Sequence, residues 1–462
     1  MSGIAAPARV VVVGGGLAGL SAAIGAVDAG AAVTLLESRP RLGGATHSFS
    51  RSGLVVDNGQ HVLLRCCTAY LGFLRRLGVA DWTAMQPRLA VPVVRPGAPR
   101  PVWLRRGGLP APLHLAPAVL AYRQLSPLER LKVPRAALAL RRLDPDDEGL
   151  DAASFGDWLR RHGQSRNAID ALWDLICTAT LNTPPDAASL KLAAKVFRTG
   201  LLEDKAAADI GYPLVPLGRL HGEAAERALA AAGATVRLRT RVRAVERDGG
   251  GFGVVTDEGR VPADAVVVAV PHDAAGGLLP PGTVRAQERL GELGASPILD
   301  VHVVYDRRVT DLPLLGAIGT PAQWIFDRTE SSGLAAGGGG EQYLAVSVSA
   351  ADALIDRSVA ELRELFLPEL GRLLPRARDA RVVELFVTRE RTATFRQGPG
   401  SHSLRAGTRT ALPGLYLAGA WTDTGWPATM EGAVRSGRAA AEAVVAGLGG
   451  RTGGRLPEGA AA

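Results

Sequence analysis

The sequence is poor in cysteine and lacks the patterns of a disulfide framework or a structural zinc site. Three cysteines, Cys66, Cys67 and Cys177, occur among 462 residues, and two of them are adjacent. No CxxC, HExxH or paired Cys/His spacing is present, so we expect no metal site. This sparse use of cysteine is typical of proteins from a reducing compartment.

Long apolar runs are also missing, as is a secretion signal. No uninterrupted apolar stretch reaches the ~20 residues that span a bilayer. The N-terminal apolar run leads directly into a glycine turn rather than into a small-residue cleavage site. We therefore expect a cytoplasmic protein, and peripheral contact with the inner face of the cell membrane stays open. No GxSxG nucleophile elbow occurs, which argues against a hydrolase.

Lysine is scarce, so most of the positive charge is arginine. Four lysines contribute to 53 basic side chains, which oppose 45 acidic ones and give a net charge of +8. The basic residues are interleaved with apolar ones, and no nucleic-acid-binding module is present, so we expect no nucleic-acid partner. The excess of arginine has two interpretations, a compositional bias or an attraction to anionic lipid headgroups.

The N-terminal segment has the order of strand, glycine turn, helix, strand and acid that dinucleotide binding requires. The β-branched run Arg9–Val13 precedes a GxGxxG turn, an apolar helix follows over 20–29, and the strand Ala32–Leu36 ends at an acid. Such a turn lets the backbone approach a pyrophosphate, and the helix N-terminus offers it N–H groups. The predicted cofactor contacts are Gly14, Gly16, Leu17, Ala18, Gly19 and, as acceptor for the ribose hydroxyls, Glu37.

The residues after this acid distinguish FAD from NAD. Glu37, Arg41, Gly43 and Gly44 resemble the ExxxRxGG extension of FAD-dependent oxidoreductases. Its glycines let the chain pass beside the pyrophosphate, while the arginine adds positive charge. The extension favours FAD as the cofactor, and no second dinucleotide fingerprint follows it.

The rest of the sequence predicts that the nucleotide-binding domain is discontinuous, with segments of a second domain inserted into it. Helical stretches over 113–143 mix leucine with arginine, which predicts either a lid with a solvated basic face or a surface helix in the membrane interface. Strand patterns of the nucleotide domain return near Gly211 and again over 415–423, a predicted strand that ends in a polar turn and is followed by a predicted helix over 434–448. We predict an FAD-binding domain over 1–87, 206–284 and 401–448, a substrate domain over 88–205 and 285–400, and a disordered tail over 449–462.

The chain resembles the flavin amine oxidase/phytoene desaturase superfamily over nearly its whole length, and the C-terminal block Leu417–Ala433 is one of the segments that carry the resemblance. The resemblance implies an α/β fold with a discontinuous Rossmann-like FAD-binding domain and an α+β substrate domain with a helical lid. It also implies that this block lies beside the flavin, its acid touching the ribityl or pyrophosphate part. The implied contacts are Gly419, Asp423, Met430, Gly432 and Ala433, with Val242 at the adenine.

Three blocks resemble a narrower group, the squalene-associated desaturase-like proteins or bacterial hydroxysqualene dehydroxylases of hopanoid biosynthesis. These blocks are Val56–Leu64, Gln323–Asp327 and Thr422–Glu431. The resemblance implies an FAD-dependent oxidoreductase that removes the hydroxyl of hydroxysqualene, a C30 isoprenoid, using hydride from reduced flavin N5 and electrons from an external donor. The alternatives are a carotenoid or phytoene-type desaturase, an amine oxidase and a non-catalytic flavin-bearing scaffold.

The implied reaction needs an acid, because hydroxide leaves poorly unless it is protonated. His61 and Asp57 lie in the segment expected to face the flavin, and each is either the proton donor or a structural residue. Tryptophans near the site either stabilise cationic character in the substrate or belong to the core. The candidate substrate contacts are Gln60, Trp324, Trp421 and Trp426.

Overall fold

The computed structural model describes residues 6–98, 100–145 and 147–452. Its α-helices, in chain order, are α1 (Leu17–Asp28), α2 (Thr68–Arg76), α3 (Ala116–Ala121), α4 (Pro127–Arg141), α5 (Gly149–Ala152), α6 (Phe155–Arg161), α7 (Arg166–Ala168), α8 (Asp174–Leu181), α9 (Leu190–Phe197), α10 (Ala224–Ala231), α11 (His272–Leu278), α12 (Val359–Leu373) and α13 (Met430–Thr452). The predicted disordered tail over 449–462 lies largely outside the described residues, and α13 enters its first part.

The described residues also form strands of 2 to 13 residues. In chain order they are β1 (Arg9–Val13), β2 (Ala32–Leu36), β3 (Ser48–Arg51), β4 (Leu54–Asp57), β5 (Leu63–Leu64), β6 (Thr83–Met85), β7 (Ala90–Val94), β8 (Val102–Arg105), β9 (Ile210–Pro213), β10 (Thr235–Arg237), β11 (Val242–Asp248), β12 (Gly251–Thr256), β13 (Gly259–Ala263), β14 (Ala265–Val268), β15 (Ser296–Tyr305), β16 (Leu314–Ala317), β17 (Trp324–Asp327), β18 (Gln342–Ser349), β19 (Val382–Thr394) and β20 (Leu415–Leu417).

Five parallel strands position the glycine turn, in the order β10-β2-β1-β14-β20. The valines of β1 are at most 3% exposed, because a parallel sheet of this kind is covered on both faces. The strands come from the beginning, middle and end of the chain. The predicted α/β fold with a discontinuous Rossmann-like part is confirmed, and the predicted domain boundaries stay a prediction.

A second, seven-stranded sheet has the order β19-β15-β18-β17-β16-β7-β8. Apolar side chains of β15 and β18 pack against α12 in one core, whereas β7 and β16 pack against the helices α4 to α9 in another. At the centre of β15, Asp300 pairs with Ser347 of β18 on one side and with Thr388 of β19 on the other. This register brings polar side chains from three strands to one place.

Two predicted boundaries are wrong for a local reason. The strand predicted over 415–423 ends at Leu417, because Gly419 adopts a φ of +149° that a continuing strand does not use. The following helix begins at Met430 rather than at Val434. The residues between them form a turn instead of regular structure. Across the described ranges, no helix is long and apolar enough to cross a bilayer.

Candidate functional site: a cavity from the glycine turn to the helical region

A large cavity connects the glycine turn after β1 with the helices α3 and α4. Its volume is about 1700 Å³, which exceeds the ~300–1,000 Å³ that is usual for one drug-sized ligand. Leu113 and Leu138 line it and are also 58% and 43% exposed, so the cavity opens to the surface beside these helices. It has room for a dinucleotide at one end and a long substrate at the other.

The start of α1 is an anion site on the cavity wall. Gly16 precedes the helix, no side chain caps it, and the first turn contains no acidic residue. The first N–H groups of a helix lack intrahelical partners and carry partial positive charge. Gly14, Gly16, Leu17 and Ala18 line the cavity at this point. The site therefore suits the phosphates of a dinucleotide.

The glycines of the turn serve different purposes. Gly14 has a φ of +106°, and a Cβ there would lie 2.5 Å from the carbonyl oxygen of Ala269. A Cβ on Gly19 would lie 1.8 Å from the carbonyl oxygen of Gly14, so Gly19 allows helix–strand packing and does not line the cavity. A Cβ on Gly16 would meet nothing nearer than 3.9 Å. A ligand can therefore approach the backbone of Gly16.

A second pair of glycines closes over this turn. Gly43 and Gly44 line the cavity and have φ values of +100° and +57°, which favour glycine. A Cβ on Gly44 would lie 2.8 Å from the Cα of Gly16, and Gly43 forms a parallel bridge with Gly16. A side chain on Gly44 would therefore crowd the backbone at the helix N-terminus, whereas one on Gly43 would meet the carbonyl oxygen of Thr46.

Glu37 follows β2 and keeps its carboxylate at the cavity. Its Oε2 accepts the backbone N–H of Gly15 at 2.6 Å, and its Oε1 accepts that of Arg39 at 2.7 Å. These bonds fix the carboxylate beside the turn, where it can also accept from ribose hydroxyls. Val242 lines the same end of the cavity. Arg41, the arginine of the ExxxRxGG extension, does not line the cavity, whereas Arg39 does.

The C-terminal turn supplies another part of the wall. Gly419, Met430 and Ala433 line the cavity, whereas Gly432 does not. A Cβ on Gly432 would lie 2.5 Å from the carbonyl oxygen of Pro427, so this glycine lets the turn pack against the start of α13.

Asp423 does not line the cavity, so the contact implied for it stays a prediction. Its side chain is 38% exposed, and its Oδ1 accepts the backbone N–H of Gly425 at 3.1 Å. The turn directs backbone carbonyls inward and leaves this carboxylate facing outward.

Arg405 holds this turn and was not anticipated from the sequence. Its guanidinium donates to the carbonyl oxygens of Trp421, Thr422 and Trp426 at 3.1, 2.5 and 2.7 Å. Burial lowers the pKa of Arg405 to about 10. The side chain is 7% exposed, so backbone carbonyl oxygens of the turn replace water as its partners.

Together these residues fit FAD. The helix N-terminus and the open backbone of Gly16 suit a pyrophosphate, Glu37 suits a ribose, and the wall around Val242 suits an adenine. The turn at Gly419 and Met430 borders the continuing space. In the ranges the structure covers, no group of three or more His, Cys, Asp or Glu side chains is arranged to hold a metal ion.

The far part of the cavity is apolar. Apolar side chains from the helices and from the seven-stranded sheet line it, among them Val91, Leu104, Leu115, Leu172, Leu314 and Phe326. The four predicted substrate contacts, Gln60, Trp324, Trp421 and Trp426, all lie on the cavity wall. Such a lining suits a hydrocarbon chain rather than a charged substrate.

Asp57 does not line the cavity, so its placement does not support the predicted catalytic role. Its Oδ2 forms a 2.6 Å ion pair with Arg328, and its Oδ1 accepts from the Ser48 hydroxyl at 2.6 Å and the backbone N–H of Leu217 at 2.9 Å. Three donors therefore occupy this carboxylate. Its position indicates a structural role.

His61 lies on the cavity wall as a neutral ring. Burial lowers its pKa, so the imidazole is uncharged at neutral pH. Its Nδ1 lies 3.1 Å from the carbonyl oxygen of Gly59, and because a carbonyl only accepts, Nδ1 carries the proton. The Nε2 lone pair is left to accept a hydrogen bond. In this state Nε2 can accept a hydrogen bond from a hydroxyl group, and the role of His61 as proton donor stays a prediction.

Other polar groups around His61 were missed in the sequence. Ser347 of β18 and Glu390 of β19 line the cavity, and Glu390 accepts from the side-chain amide of Asn58 at 2.9 Å. Their strands are far apart in the chain, so no local motif identifies them. With His61 they form a polar patch on the wall of a cavity that is lined largely by apolar residues.

Comparison with known proteins agrees with this geometry. Residues 17–445 match the family described as "Flavin containing amine oxidoreductase". The chain is 31% identical to a hydroxysqualene dehydroxylase of Rhodopseudomonas palustris over 95% of this chain and 98% of that protein. It is 28% identical to a "Probable zeta-carotene desaturase" of Synechococcus elongatus, over 95% and 98%. A triple mutant of putrescine oxidase superposes with a TM-score of 0.74 at 21% identity, over 95% and 99%, which shows the fold.

Proposed function

The chain belongs to the family of flavin-containing amine oxidoreductases and is an FAD-dependent oxidoreductase, and we propose that it removes the hydroxyl group of hydroxysqualene to give squalene. The observation that carries the proposal is a largely apolar channel with a polar patch, at His61 and Ser347, on its wall. A long hydrocarbon with one hydroxyl group matches that distribution. The similarity to a hydroxysqualene dehydroxylase supports the same substrate.

The reaction needs a hydride at carbon and a proton at oxygen. FAD, when bound and reduced, supplies the hydride. The protein binds the hydrocarbon, excludes water and orients the hydroxyl group toward the polar patch. The Nε2 lone pair of His61 is suited to accept the hydrogen bond of that hydroxyl group. Each turnover consumes two electrons, so an external donor must reduce the flavin again.

A carotenoid desaturase is the second candidate, because a relative of similar identity carries that name. Desaturation runs the hydride transfer in the opposite direction and needs no protonated hydroxyl group. The polar patch favours dehydroxylation, since a purely hydrocarbon substrate leaves those polar groups without partners.

An anaerobic product assay tests the proposal. The purified protein is photoreduced, mixed with hydroxysqualene, and followed by flavin absorbance and by mass spectrometry of the products. We expect flavin reoxidation with stoichiometric squalene. A parallel sample of oxidised protein with phytoene serves as the comparison. Conjugated-polyene absorbance there, with no squalene in the first sample, would favour the desaturase.

We also propose that the protein takes its substrate from an anionic bilayer. Six leucines around α3 and α4, which we call the leucine surface, are 43% to 69% exposed. They are Leu109, Leu113, Leu120, Leu128, Leu131 and Leu138. Exposed basic residues accompany them, namely Arg123, Lys132, Arg135, Arg141 and Arg142. Leucines that enter the interface and cations that meet anionic headgroups are the combination such binding requires.

The cavity opening lies within this surface. Leu113 and Leu138 belong both to the leucine surface and to the cavity wall. Docking on a bilayer would therefore join the apolar channel to the hydrocarbon layer, and a C30 substrate would reach the channel without crossing water. The position of the cavity opening therefore supports a peripheral membrane protein.

A further inference from the structure

Asp300 is a fully buried carboxyl group directly behind the cavity wall. Its side chain is 0% exposed, and among the described residues neither oxygen has a hydrogen-bond partner. Ser347 stands opposite it in the antiparallel register, and opposite residues direct their side chains to the same face. Ser347 lines the cavity and Asp300 does not, so Ser347 is the residue of this pair that a ligand in the channel can reach.

Gly59 leaves a gap beside the same carboxyl group. A Cβ on Gly59 would lie 3.8 Å from Oδ2 of Asp300 and 3.4 Å from Cε1 of His61. The carboxyl group and the imidazole thus border one small space that a side chain would fill. Both Gly59 and His61 line the cavity, so Asp300 belongs to the polar patch although it is hidden behind it.

The surroundings of Asp300 favour its protonated form. Burial raises the pKa of Asp300 to about 7, and the carboxylates of Glu390 and Asp57 act in the same direction. The Ser347 hydroxyl and the backbone N–H of Gln60 approach and favour the charged form, but neither makes a well-formed hydrogen bond to the carboxyl group. Burial therefore dominates.

Among the described residues packed around Asp300, no free cation offsets this effect. Arg328 is bound to Asp57 at 2.6 Å, and His61 is neutral. His302, two residues along the strand, has a pKa lowered by burial to about 3 and shares a 2.7 Å hydrogen bond with the Tyr343 hydroxyl. Asp300 therefore holds a proton near neutral pH that an exposed aspartate would have lost.

We propose that Asp300 is the proton reserve of this site and that Ser347 passes its proton to the substrate. The inference rests on the proposed dehydroxylation. The carboxyl group donates its proton to Oγ of Ser347, which gives its own proton to the substrate hydroxyl oxygen. The C–O bond breaks with its electron pair on oxygen and releases water, while carbon gains the hydride supplied by the cofactor. Asp300 is left as a carboxylate and regains a proton from solvent.

In this arrangement, two residues of the polar patch form different hydrogen bonds with the substrate hydroxyl group. His61 accepts the hydrogen bond of the substrate hydroxyl and orients it, and Ser347 donates to the same oxygen. Asp300 touches neither substrate nor cofactor, so it is a positioning residue that acts through Ser347. Its effect must therefore appear in the pH dependence of the reaction.

The test compares the pH–rate profiles of variants of the FAD-bound protein. In the wild-type enzyme, squalene formation should fall as the pH rises through about 7, where Asp300 loses its proton. Asp300→Asn should lower the rate by the ~10²–10⁴-fold that is typical of lost acid catalysis and should abolish this decline. Ser347→Ala should lower the rate similarly, and Ser347→Thr, which retains the hydroxyl group, should restore it. Ser50→Ala changes an exposed serine of β3 that does not line the cavity, and it should keep the wild-type profile.

A second readout does not depend on activity. The infrared C=O band of a protonated carboxyl group should be present at pH 6, disappear as the pH rises through about 7, and be absent in Asp300→Asn. Ser347→Ala should retain the band. Flavin absorbance and thermal unfolding establish that each variant is folded and loaded.

The outcomes separate this inference from the proposed function. A wild-type enzyme that forms no squalene at any pH overturns the proposed function. A wild-type enzyme that forms squalene, while Asp300→Asn keeps the decline through pH 7 or the wild-type protein lacks the band, overturns only the role of Asp300.

Discussion

Asp57 and Arg328 form an ion pair of 2.6 Å in which the side chains are 3% and 11% exposed. Asp57 ends β4 in the segment that leads to His61, and Arg328 directly follows β17 of the seven-stranded sheet. The pair therefore ties the segment carrying a cavity-wall histidine to the sheet that lines the substrate channel.

Removing one partner of this ion pair should lower the free energy of unfolding. Asp57→Asn leaves the guanidinium of Arg328 buried without its counter-charge, and losses of ~3–5 kcal/mol are typical of that change. We expect a loss of this size in the free energy of unfolding, measured by chemical denaturation. The double variant Asp57→Asn/Arg328→Gln should recover part of the loss, because no charge is left unpaired. Wild-type stability in Asp57→Asn would contradict the structural role assigned to Asp57.

The nucleotide end of the cavity was predictable because its determinants are local. The valines of β1, the glycines of the turn and Glu37 lie within 29 residues of one another, from Arg9 to Glu37. A strand, a tight turn and a helix follow directly from valine, glycine and alanine at these spacings. The residue types were sufficient, and the predicted order of elements is confirmed.

The polar patch was not predictable in the same way. Asp300, Ser347 and Glu390 meet through the register of β15, β18 and β19, which no local pattern fixes. One signal was present, a charged residue within the apolar run Ile298–Tyr305, where the cost of burial predicts a special role. Asp57 was proposed as an acid because it lies in the segment expected to face the flavin, and its ion pair with Arg328, 271 residues away, could not be seen in the sequence.

Substitution by alanine should have different effects at two glycines of the same turn. A Cβ on Gly16 meets open cavity, so Gly16→Ala should leave the stability of the FAD-free protein nearly unchanged but obstruct the approach of the pyrophosphate. A Cβ on Gly19 would lie 1.8 Å from a carbonyl oxygen, so Gly19→Ala should lower the unfolding temperature with or without FAD. Flavin content and unfolding temperature measure the two effects.

A matched control is Gly407→Ala, where a Cβ meets nothing within 4 Å. It should keep both flavin content and stability. Full flavin loading of Gly16→Ala would contradict the placement of the pyrophosphate at the N-terminus of α1.

Membrane binding should depend on the leucine surface. Leu128 and Leu131 are 63% and 69% exposed, so replacing both by glutamate should not disturb the core. It should remove apolar insertion and add repulsion from anionic headgroups. We expect strongly reduced co-sedimentation with vesicles containing phosphatidylglycerol. Leu214→Glu changes a leucine that is 50% exposed outside the surface and should bind as the wild type does. Equal sedimentation of all three proteins would argue against bilayer docking.

The unusual protonation of Asp300 should also appear in the pH dependence of stability. Its pKa is raised from 3.8 to about 7 in the folded protein by burial. Between these values the folded chain keeps a proton that the unfolded chain loses, so this group makes the unfolding free energy fall as the pH rises from about 4 to about 7. Asp300→Asn cannot acquire the charge. The unfolding free energy of the variant minus that of the wild type should therefore be larger at pH 8 than at pH 4.

Asp209 provides a control of opposite sign. Burial opposes its charged form, but hydrogen bonds from Arg106, the backbone N–H of Leu89 and Arg65 outweigh burial and lower its pKa. Its contribution to stability is therefore present at neutral pH and is lost as the pH falls through its folded pKa. Asp209→Asn should be destabilised relative to the wild type at pH 8 and less so at pH 3. If Asp300→Asn showed this same sign, the carboxyl group would be charged in the folded protein and unable to hold a proton for the substrate.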